Sequence, residues 1–96
     1  MQDKPKGAGD YARATTAPGD DHAEATVLRE VVFLYPESLT LEELIRQMTA
    51  ASTAFPDIDQ VQRAVRELTA AGLFHRNGDL VLPTRAAVRF QELAEL

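Results

Sequence analysis

The chain has 96 residues, 45% of them hydrophobic, and 10 basic against 15 acidic residues give a formal charge of −5. That length suits one small domain with a marginal core, which oligomerisation would support. The absence of cysteine excludes disulfides and thiolate metal sites, and the acidic balance excludes a surface that is basic all over.

No apolar run approaches the ~20 residues of a membrane span. Lys4 and Lys6 are not followed by the apolar stretch that a secretory signal needs. The expectation is a cytoplasmic protein with no membrane partner. Residues 1–21 hold Gly, Pro, Thr, Ala and Asp with hardly an apolar side chain. Such a segment buries too little to offset its ordering entropy, so a disordered tail is expected there, followed by a single domain over 22–96.

His22 to Tyr35 reads as a first helix, with Val27, Leu28, Val31, Val32, Leu34 and Tyr35 at helical spacing. This stripe is broader than a surface helix needs. Asp20 or Asp21 is positioned to cap it, and Pro36 ends it. Glu37 to Thr40 is a connector. Thr40-Leu-Glu-Glu43 fits a capping box, opening a second helix with Leu41, Leu44, Ile45 and Met48 on one face. Ala50 to Pro56 then links to a third helix and is longer than a compact helix-turn-helix turn; Phe55 is expected to fold back as a staple.

The third helix is capped by Asp57, with Gln60 three residues on. Ile58, Val61, Ala64, Val65, Leu68 and Ala71 make its inner face. The opposite side carries Asp59, Gln60, Arg63, Arg66, Glu67 and Ala70. Gly72 suits the left-handed residue after a helix. Leu73 to Arg76 and Asp79 to Leu82 read as strands joined by Asn77-Gly78, a strong two-residue hairpin signal. Leu73, Phe74, Leu80 and Leu82 are expected to supply their apolar contacts, with Arg76 near the tip. Thr84 caps a last helix, Arg85 to Leu96, with Ala87, Val88, Phe90, Gln91, Leu93, Ala94 and Leu96 on one face. The class is mainly α, within α+β.

Three segments carry a family resemblance: Leu39-Thr-Leu-Glu-Glu-Leu44, the pattern Val61-x-x-Ala-Val-Arg-Glu-Leu-x-x-Ala-Gly-Leu73, and the Asn77-Gly78 hairpin. Together they resemble winged helix-turn-helix domains of bacterial transcriptional regulators, over Val27 to about Leu93. The resemblance implies a three-helix core, a β-hairpin wing and a C-terminal helix. It further implies a dimeric regulator that reads double-stranded DNA with helix 58–71 and the 73–82 wing. An effector pocket would then lie in the dimer crevice. The broad first helix and the small-residue last helix point to a homodimer through helices 22–35 and 85–96.

The candidate DNA-binding residues are Gln60, Gln62, Arg63 and Arg66 on the third helix and Arg76 on the wing. A helix fits the major groove, where Arg and Gln present forked donors and acceptors to base edges. An arginine at a wing tip suits the narrow, negative minor groove. From Asp57 to Arg89 there are five arginines and four carboxylates, so the acidic excess lies mostly elsewhere. Asp57, Asp59 and Glu67 nevertheless share the reading face. Arg63 is four residues from both Asp59 and Glu67, so surface ion pairs are the competing reading of that residue. The competing function is a winged-helix protein–protein interaction module without DNA binding.

Catalytic chemistry finds little support. Of the two histidines, His22 lies at the tail boundary, and His75, in a strand, has no Cys, His or acid beside it at ligand spacing. There is no Ser-His-Asp pattern, phosphate loop or Gly-rich dinucleotide turn. Neither an enzyme activity, a metal nor a cofactor is expected.

Overall fold

A computed structural model describes residues 20–50 and 56–96. The expected tail up to residue 19 and the expected Phe55 staple lie outside the described residues. The elements, in order, are α1 (Asp20–Leu34), β1 (Leu39–Thr40), α2 (Leu41–Thr49), α3 (Ile58–Ala70), β2 (Phe74–Asn77), β3 (Leu80–Pro83) and α4 (Arg85–Ala94). Among the described residues, four helices accompany one small antiparallel sheet of order β1-β3-β2.

Local chemistry sets most of these boundaries. Both expected capping boxes form. Glu43 N–H donates to Thr40 Oγ1 at 3.0 Å while Thr40 N–H donates to Glu43 Oε1 at 2.9 Å. Gln60 N–H donates to Asp57 Oδ1 at 2.8 Å, and Asp57 N–H donates to Gln60 Oε1 at 3.0 Å. Each box satisfies two amides that a helix start would leave unpaired. Thr84 Oγ1 accepts from Ala87 N–H at 3.3 Å and opens α4 the same way. Gly72 follows α3 with φ +86°, the left-handed geometry that glycine adopts without strain. α1 starts at Asp20, two residues earlier than the periodicity predicts. It stops at Leu34, ahead of Pro36.

The core lies where α1 packs on α3 and both meet the sheet and α2. Val27 and Val31 of α1, Leu44 of α2, Val61, Ala64, Val65 and Leu68 of α3, Phe74 of β2 and Val81 of β3 form its buried cluster. Leu41, Ile45 and Met48 pack against it from α2.

Three expectations are corrected. Two residues expected on the inner face of α3 are not there: Ile58 is 53% exposed, because the first turn of α3 projects past the core, and Ala71 is exposed beyond the last turn. The hairpin loop is Gly78–Asp79 rather than Asn77–Gly78, since Asn77 pairs with Leu80 across the strands. Hairpin loops of two residues need positive φ at the first central position, and Gly78 supplies it with φ +60°. Leu41 N–H also donates to the Asp79 carbonyl at 2.9 Å, tying the turn to the start of α2. On β3, Val81 and Pro83 turn inward while Leu80 and Leu82 are only half-buried. In α4, Ala87 is buried and Val88 and Gln91 are half-buried. Phe90 at 67%, Leu93 at 49% and Leu96 at 100% exposure do not close the core.

Candidate nucleic-acid interface

α3 is amphipathic. Once Val61, Ala64, Val65 and Leu68 are buried, the 100° step between residues leaves Asp59, Gln62, Arg66, Glu67 and Ala70 exposed. The β2–β3 hairpin stands beside this helix, joined to it through Gly72 and Leu73, whose N–H donates to the Leu68 carbonyl at 2.9 Å.

The five candidate residues meet different fates. Gln62 and Arg66 are exposed on the solvent side of α3. Gln60 is half-buried, and its amide oxygen is used by the capping box. That bond orients it along the helix start rather than outward.

Arg63 is tethered across the fold. Its Nε donates to Asp20 Oδ2 at 3.2 Å and its Nη2 to Asp20 Oδ1 at 3.1 Å. This forked pair matches the planar guanidinium to both carboxylate oxygens. The Asp20 side chain is only 12% exposed, against 41% for Arg63. The hydrogen bond to Asp20 raises the Arg63 pKa above the ordinary arginine value, partly opposed by desolvation and aided by the charges of Asp20, Asp59 and Asp57. Of the two same-helix carboxylates anticipated as partners, neither takes Arg63 into an ion pair; Asp20 of α1 does.

Arg76 lies on β2 opposite Val81, short of the tip. Its Nε donates to the Leu80 carbonyl at 3.1 Å and its Nη2 to the Gly78 carbonyl at 3.4 Å. The guanidinium thus braces the turn of its own hairpin. It still meets Gln62: both line a groove of about 400 Å³, floored by Leu41 and Ile45 and flanked by Glu42 and Asp79. The candidate set is therefore divided. Gln62 and Arg76 share one groove, Arg66 is exposed on the same helix, and Gln60 and Arg63 are committed within the fold.

The sequence reading missed Asp20 as the partner of Arg63. It also missed Glu42 and Asp79 as neighbours of Gln62 and Arg76. No local signal marks the first, because 43 positions separate the two residues. The second was foreshadowed by the capping box, which places Glu42 in the first turn of α2 beside the hairpin.

His75 is exposed on β2. Among the described residues no group of three or more His, Asp or Glu is placed to hold a metal ion, and no helix is long and apolar enough to cross a membrane. Comparison of the chain with protein-family models, curated proteins and solved structures returned no match.

Proposed function

We propose that the chain is a winged helix-turn-helix module that docks α3 and the β2–β3 hairpin on double-stranded DNA, as a regulator of transcription does. The reading is supported chiefly by one observation: the polar side of α3, with Gln62 and Arg66, is open to solvent beside the hairpin that carries Arg76. A helix backed by a core and flanked by a two-stranded ribbon has the width to enter a major groove, and an amide and a guanidinium suit base edges and phosphates there. The few available cations imply modest electrostatic attraction and a shallow salt dependence.

A second reading has its own observation. Glu42 and Asp79 flank the groove shared by Gln62 and Arg76, and Asp57, Asp59 and Glu67 are exposed along α3. Carboxylates repel phosphates, whereas a mixed-charge groove with an apolar floor suits a protein partner.

The experiment is binding to duplex DNA over a salt series, with Arg66→Ala and Arg76→Ala beside the wild type. The DNA reading expects salt-dependent binding that both variants weaken. Absent binding, or binding indifferent to salt and to both substitutions, overturns it and leaves the protein-partner reading.

A further inference from the structure

The outward line of α3 carries side chains of opposite kind. At 100° per residue, Asp59, Gln62 and Arg66 lie within about 60° of one another, on the side away from Val61, Ala64, Val65 and Leu68. All three are exposed. None of them makes a side-chain hydrogen bond or ion pair among the described residues. The charge of Asp59 acts on Arg63, but it is Asp20 that holds Arg63. Asp57 and Gln60 are occupied by their capping box. Glu67 sits about 80° around the helix from Asp59, on the flank of Arg63 rather than that of Gln62.

A surface built only to grip phosphates gains nothing from a carboxylate on its outermost line, since like charges repel. In a major groove the same carboxylate has a partner. The base edges there present two amine donors, N4 of cytosine and N6 of adenine. A carboxylate accepts from the first, and a primary amide pairs with adenine at N6 and N7 together. Asp59 and Gln62 lie in the first two turns of α3, which starts at Ile58. The opening turns of a helix docked in the groove are those nearest the base edges. Three residues separate the two side chains by about 4.5 Å along the helix axis, and base pairs stack about 3.4 Å apart. The two therefore face adjacent base pairs. Arg66, one turn beyond Gln62, and Arg76, which shares the groove of Gln62, are left for backbone phosphates.

The geometry points to Asp59 and Gln62 as a base-reading pair: Asp59 accepts from the N4 amine of a cytosine, and Gln62 pairs with the adenine of the neighbouring base pair. This deepens the DNA reading proposed above and rests on it. The carboxylate that weakens attraction to phosphates becomes the group that selects the site. Asp59 also suits the positive end of α3, so a loss of binding alone does not identify its role. A change in the preferred base does.

The test is selection from random duplexes by the full chain, for the wild type, Asp59→Asn and Gln62→Glu. Affinities are then measured for each enriched duplex and its single base-pair replacements, with thermal melting to confirm that each variant is folded. The wild type should enrich adjacent C·G and A·T pairs, and replacing the A·T pair should weaken its binding about 5- to 160-fold. Asp59→Asn should exchange the preferred cytosine for adenine and leave the second pair unchanged. Gln62→Glu should exchange the preferred adenine for cytosine and leave the first pair unchanged. Binding without a preferred sequence, a preferred sequence lacking these adjacent pairs, or a preference that either substitution fails to move overturns the inference and leaves the DNA reading standing. Absence of binding to any duplex overturns the DNA reading itself, and this inference with it.

Discussion

Replacing Asp20 with Asn tests how the fold controls the charge on α3. In the wild type Arg63 is forked onto Asp20, while Arg66 is exposed and Arg76 braces the hairpin, neither of them in an ion pair among the described residues. Two arginines per copy are then available to phosphates. Each neutralised phosphate contributes about −0.9 to the slope of log affinity against log salt, so the expected slope is about −1.8 per copy. Asp20→Asn keeps the side-chain volume but removes the charge that holds Arg63. A third arginine then becomes available, and the slope steepens to about −2.7. Between 50 and 200 mM salt the variant should therefore lose about 3.5-fold more affinity than the wild type does, from a higher affinity at the low end. Fluorescence anisotropy of a labelled duplex measures both quantities, with thermal melting to confirm the fold. The double variant Asp20→Asn/Arg63→Ala should return to the wild-type slope. An unchanged slope in Asp20→Asn, or one that the second substitution does not reverse, would refute the reasoning.

Three further predictions concern stability. Leu44 is fully buried at the centre of the core, and Leu44→Ala should cost about 2–5 kcal/mol, enough to threaten cooperative unfolding in a domain of this size when followed by urea denaturation. A Cβ on Gly78 would meet nothing within 4 Å, so Gly78→Ala should cost only the left-handed backbone penalty of about 1–2 kcal/mol. Gly78→Asn should cost less, and equal costs for the two variants would contradict a purely backbone origin. Thr40→Ala removes one arm of the capping box and should lower stability by about 1 kcal/mol, which calorimetry would register as a fall in Tm of about 4–8 °C.

The sequence made legible what is decided within a few residues. Thr40 with Glu43 and Asp57 with Gln60 are three apart, so both helix starts could be placed from type and spacing alone. The inner face of α3 followed from its period except at its two ends, Ile58, where the helix outruns the core it packs on, and Ala71, which is exposed past the last turn. The hairpin was legible as a hairpin but not in its register. Asn-Gly and Gly-Asp both supply turn residues, and the choice is made by the Leu41 amide reaching Asp79 and by the pairing of Thr40 with Leu80. Long-range pairing was not legible at all. Nothing beside Arg63 in the chain points to Asp20, while two carboxylates at helical spacing point elsewhere. Periodicity likewise assigned Phe90 and Leu93 to an apolar face of α4 without showing that the fold leaves that face bare. It also gave Phe33 no place in the stripe of α1, where it stands outermost.

The most direct test of the account is a titration of the isotopically labelled full chain with duplex DNA, followed residue by residue through its backbone amide resonances. The account predicts shifts concentrated at Asp59, Gln62, Arg66 and the Arg76–Asp79 segment of the hairpin, with Arg29 and Phe33 of α1 and Glu92 of α4 unmoved. Shifts confined to α1 and α4, or none at any DNA concentration, would contradict it.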